Sequence, residues 1–107
     1  MTQVTLTTKN GHITSLVADG HTDYGVEGED IVCASLSSII QTAVLGLLKV
    51  VGINLKTTIA DGFLSFELPN DLSKEDRHDA DLILETMLCG IADLNEGYSD
   101  FVDLEVK

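Results

Sequence analysis

Basic residues are scarce in this sequence. Six lysines and arginines stand against eighteen aspartates and glutamates, a net charge of −12 over 107 residues. Most of the excess follows residue 60, where 13 acidic residues meet 3 basic ones, against 5 and 3 before it. A surface of this sign repels phosphate backbones, which argues against direct nucleic-acid binding and favours a basic partner. The same charge also serves solubility. Cysteines are few as well, and two in the whole chain fit reduced thiols in a cytoplasmic protein better than a disulfide scaffold. No cysteine repeat has zinc-ligand spacing, and His21, Asp23, Asp30 and Cys33 make a poor zinc set, so neither metal nor cofactor is expected. Gly20, Gly25 and Gly28 lack the spacing of a phosphate-binding loop. The opening MTQVTLTTKNGH has neither the basic start nor the apolar core of a signal peptide. The longest apolar stretch, around Leu36 to Leu48, is broken by Ser37, Ser38, Gln41 and Thr42 and followed by Lys49. It reads as a buried helix and not as a membrane span. With no low-complexity tract, residues 1–107 fit one domain with one core.

What is present is a regular succession of elements. Asn10-Gly11 sits between alternating runs, the strongest short signal for a hairpin. Pairing residue 9 with 12 puts Val4, Leu6, Ile13 and Val17 on one face and Thr5, Thr7 and Thr14 on the other. Asp61-Gly62 marks a second hairpin. Pairing 60 with 63 gathers Leu55, Ile59, Leu64, Phe66 and Leu68 and sets Lys56 opposite Glu67. Between the hairpins, about Ile31 to Val51 forms a helix apolar nearly all round, with Lys49 its only charge. Such a helix either crosses the sheet centre or also meets a second subunit. Ser73-Lys74-Glu75-Asp76 opens another helix over about 74–96. Leu84, Met87, Leu88, Ile91 and Leu94 are its apolar stripe. DFVDLEV alternates as a half-buried strand does. The order is ββαββαβ, an α+β two-layer sandwich with two helices on one face of a mixed sheet.

The stretch DGHTDYGVEGEDIVCASLSS, residues 19–38, carries the chemistry. Asp30 stands where an N-cap belongs, which places Ile31, Val32 and Cys33 in the first helical turn. Free backbone N–H groups there, and the helix dipole, favour a thiolate and can hold an oxyanion. His21 ends the second strand, close to that helix start in a unit of this kind, so thiol and imidazole can meet. Cysteine is also among the most buried residue types, and core packing alone would account for Cys33. Cys89, inside the second helix with no histidine near it, reads as inert core. His12 and His78 read as solvated.

The stretch resembles the signature of the ribosomal-processing cysteine protease family, Prp. Gly20-His21, Gly28 and Asp30-Ile31-Val32-Cys33-Ala34 carry the resemblance, and length and element order agree over the whole chain. Thr22 departs from it, since the family commonly has alanine there. The resemblance implies a cysteine endopeptidase with Cys33 as nucleophile and His21 as base. Asp30 would orient the histidine or cap the helix. Thr22, Asp23, Gly25 and Gly28 would belong to a loop that gates the site. It further implies removal of the N-terminal extension of a bacterial large-subunit ribosomal protein, number twenty-seven, with cleavage after an aromatic pair. A homodimer is implied as well. A non-catalytic ribosome-assembly or chaperone-like module gripping a basic ribosomal protein is the competing reading, and a cysteine redox sensor is a third.

Overall fold

The computed structural model describes residues 1–20 and 29–107, with residues 29 and 30 described by their backbone only. Strands β1 (Thr2–Lys9) and β2 (His12–Asp19) form the first hairpin. Helix α1 (Glu29–Leu45) follows and runs on as a π-helical turn over Gly46–Val51. Strands β3 (Lys56–Ala60) and β4 (Phe63–Glu67), helix α2 (Lys74–Gly97) and strand β5 (Val102–Val106) complete the chain. The sheet order is β3-β4-β2-β1-β5, antiparallel except for the parallel pair β1–β5. Element order and fold class are those read from the sequence.

Both hairpin turns form where expected. Asn10 (φ 55°) and Gly11 (φ 81°) are both left-handed, the backbone that a two-residue turn needs if it is to match strand twist. Lys9 pairs with His12 and Ala60 with Phe63, and Lys56 faces Glu67. One register departs from the expectation. Thr8 pairs with Ile13 but Thr7 pairs with Ser15, so Thr14 is an extra residue in β2. Its carbonyl accepts from the Leu68 N–H. Such a bulge moves every later side chain to the other face. Leu16 and Ala18 therefore join Ile13 in the core, while Val17 turns outward and is 39% exposed.

The core lies between the sheet and the two helices. Val32, Leu36, Ile40, Ala43 and Leu47 give α1 and its π turn one buried stripe, and Ala80, Leu84, Met87 and Ile91 do the same for α2. Ser73 caps α2, its hydroxyl accepting from the Asp76 N–H. Ile31–Val51 is long and apolar enough to cross a membrane by composition, but here one side of it is committed to the sheet. Its remaining apolar surface is not all covered: Ile31, Leu45, Leu48 and Val50 are exposed.

His12 is not simply solvated, as its position after the turn suggested. Its Nδ1–H donates to Asp81 Oδ2 at 2.7 Å, and Arg77 Nε donates to Asp81 Oδ1 at 2.9 Å. Arg77 Nη2 also donates to the Ile13 carbonyl at 3.0 Å. The three side chains fasten the first hairpin to α2. Asp81→Ala strips a half-buried guanidinium of its partner. It is expected to lower the unfolding free energy by about 1.5–3 kcal/mol, read as a lower urea midpoint with unchanged slope. A change below about 0.5 kcal/mol would class the cluster with ordinary surface ion pairs.

Candidate active site

The site is built from the first residue of β1 outward. Strand alternation turns Thr2, with Val4 and Leu6, toward the helix layer. Its N–H donates to the Phe101 carbonyl at 2.9 Å, and at 6% exposure it is the buried polar residue among those described. The Thr2 hydroxyl donates to the Gly20 carbonyl at 2.7 Å. The same oxygen lies 3.5 Å from Cys33 Sγ.

Gly20 is the second anchor. Its N–H donates to the Gly62 carbonyl, in the β3–β4 turn, at 2.9 Å. Its φ is +93°, and a Cβ there would stand 2.9 Å from the Met1 backbone oxygen. Left-handed backbone pressed against another main chain requires glycine. The peptide groups on both sides of Gly20 are thus fixed, one by β1 and one by the β3–β4 turn. The carbonyl held by Thr2 belongs to the peptide bond that leads into His21. His21, Thr22, Asp23, Gly25 and Gly28 themselves lie outside the described residues, as does the Asp30 side chain.

Cys33 arrives from above, on α1, and its thiol is half-buried and reduced. Helix α1 is described from Glu29 onward, which makes Cys33 the fifth of its described residues. Only the first few N–H groups of a helix lack a partner. The Cys33 amide therefore falls inside the i→i−4 ladder, and free donors belong to the residues before it.

Beside the thiol opens a pocket of about 240 Å³. One flank of α1 (Leu36, Ser37, Ile40, Gln41) forms one wall, and Ile59 to Leu64 of the second hairpin form the other. The volume is below the ~300–1,000 Å³ of small-molecule sites and suits a single large side chain. Ile59 explains the pocket. It faces the helices, opposite Leu64, on the face read from the sequence, but lies beyond their cover and is 62% exposed. Among the described residues, no three His, Cys, Asp or Glu side chains cluster as metal ligands do. Cys89 is also placed differently from the sequence reading. It is exposed on the outer side of α2, because the buried stripe passes through Leu84, Met87 and Ile91 and leaves position 89 outside.

The model of the family described as cysteine protease Prp matches residues 1–103. The chain belongs to that family. The ribosomal processing cysteine protease Prp of Staphylococcus aureus strain Mu50 is 30% identical over 97 residues, covering 91% of this chain and 90% of that one. The Bacillus subtilis strain 168 protein of the same name is 29% identical over 90 residues, 82% and 80% of the two chains. The crystal structure of the essential S. aureus Prp with a substrate peptide superposes with a TM-score of 0.87 at 27% identity, over 100% of both chains. The same protein with a covalently linked product peptide gives 0.84 at 28% identity, again over 100% of both. In this member of the family a free cysteine thiol stands at the mouth of a mainly apolar, side-chain-sized pocket. Thr2 and Gly20 were not singled out for their contacts by the sequence reading. The signal for Thr2 was there: it is a polar residue in register with Val4 and Leu6 on an otherwise apolar strand face.

Proposed function

We propose that this chain is a cysteine endopeptidase that removes the N-terminal extension of bacterial large-subunit ribosomal protein twenty-seven, cutting after an aromatic pair. The observation that carries the proposal is the Cys33 thiol opening on an apolar pocket, joined through Thr2 to the residue before His21. In this reading Cys33 Sγ attacks the scissile carbonyl and His21 takes the thiol proton. The proton then passes to the leaving amine as the thioester forms, and water hydrolyses the thioester. An aromatic side chain next to the cut enters the pocket between Ile40 and Phe63. A net charge of −12 suits a basic ribosomal substrate in the cytoplasm.

The working form in this proposal is a homodimer. The exposed Val50 and Leu82, with Ile39 and Ile83, border an apolar groove between α1 and α2, on the flank of α1 away from Cys33, and a second copy covers it. Val50→Glu is then expected to sediment as a monomer at micromolar concentration where the wild type sediments as a dimer. Equal sedimentation of the two would remove this surface from the interface.

The deciding experiment incubates the chain with a peptide spanning the ribosomal extension and follows products by mass spectrometry. A single cut after the aromatic pair supports the proposal. Binding without turnover supports the assembly-module reading instead.

A further inference from the structure

We infer that Thr2 is a positioning residue of this active site, holding the Cys33 sulfur and the backbone that leads into His21 on one hydroxyl. The inference rests on Cys33 being the nucleophile. A threonine hydroxyl has one proton and two lone pairs. In the structure the proton is committed to the Gly20 carbonyl at 2.7 Å, so at 3.5 Å the sulfur meets a lone pair and the thiol S–H donates to Oγ1. This fixes the cysteine rotamer while the thiol is neutral.

The arrangement changes when the base takes the thiol proton. The sulfur then carries negative charge and needs a donor. Rotation about the Thr2 Cβ–Oγ1 bond turns the hydroxyl proton from Gly20 to the sulfur, with no heavy atom displaced. A hydrogen bond to a charged acceptor is about twice as strong as a neutral one. When the sulfur becomes a thioester the charge is gone, and the proton returns to Gly20. Thr2 also lines the pocket beside Cys33, but valine keeps its volume there, so loss of the hydroxyl alone is read in the chemical step more than in substrate binding.

Burial supports this role over simple packing. Thr2 faces the core at a position where alternation calls for an apolar side chain, and valine would fill the same volume. A buried hydroxyl is retained without penalty only where it has partners, and both of its partners here belong to the site.

The test compares Thr2→Val, Thr2→Ala and Thr2→Ser with the wild type, measuring kcat and KM on the extension peptide, with Cys33→Ala alongside. Thr2→Val and Thr2→Ala are expected to lose about tenfold in kcat with KM within about twofold, and Thr2→Ser to stay within about threefold of wild type. Should Thr2→Val not fold, the pair Thr2→Ala and Thr2→Ser still differs by a single oxygen. Equal kcat in that pair, or a rise in KM with kcat unchanged, overturns the inference. If Cys33→Ala cuts as well as the wild type, the nucleophile assignment itself falls, and the role of Thr2 with it.

Discussion

Cys33→Ala is expected to reduce peptide cleavage to background, a fall in kcat of about 10⁴-fold or more. The reason is chemical, since among the described residues Cys33 is the one thiol lining the pocket. Ser37 lines the same pocket but lies one helical turn further along α1, without the Thr2–Gly20 link to residue 21. Deleting a half-buried sulfur costs little in packing, so the variant should remain folded and still bind the peptide. His21→Ala should fall to a similar level, because the thiol then has no base to receive its proton. Cys89→Ala, on the exposed side of α2, is the matched control and should cut at the wild-type rate. If the Cys33 and His21 variants retain wild-type turnover, this pair is not the catalytic dyad.

Gly20→Ala is the second large effect. The added methyl imposes a side chain on a φ of +93° and places Cβ 2.9 Å from the Met1 carbonyl oxygen. The backbone cost alone is about 1–2 kcal/mol, and the contact is with main chain, which cannot swing aside. Relief requires the Gly20 peptide to shift, and that breaks or lengthens its bonds to Thr2 and Gly62. A displacement of about 1 Å at the residue preceding the base can cost about 10²-fold in rate. The expected result is a loss of that order in kcat together with a fall in melting temperature of several degrees. Wild-type turnover in Gly20→Ala would show that entry of the chain into residue 21 does not govern the site.

The parts of this molecule legible in the sequence are those where local chemistry and global packing agree. Asn10-Gly11 and Asp61-Gly62 admit few structures other than tight turns, and the stripe through Leu84, Met87 and Ile91 reads directly as a helix face. Val17 was misplaced because an inserted residue at Thr14 leaves no composition signal; it shows only in which carbonyls find partners across the sheet. The exposure of Ile59 was illegible for a different reason. Alternation tells which face a strand residue takes, but not whether the opposing helix reaches that far. Cys33 and His21 stood out because the chemistry of a thiol and an imidazole is specific to few residue types. The contacts of Thr2 with Gly20 and of His12 with Asp81 join residues 18 and 69 positions apart, and apart from a polar residue at position 2 on an apolar strand face the sequence does not announce them.

The parallel pairing of β1 with β5 carries a consequence for the order of assembly. Among the described strands β1, which presents Thr2, is synthesised first and β5 last, and the Phe101 carbonyl that holds Thr2 immediately precedes β5. A nascent chain can close both hairpins and wind both helices while β1 still lacks its outer neighbour. Thr2 is then tethered on one side only, and the hydroxyl that reaches Cys33 has no fixed origin. The β1–β5 pairing, the longest-range contact in the sheet, can form only once the chain beyond residue 101 has been made.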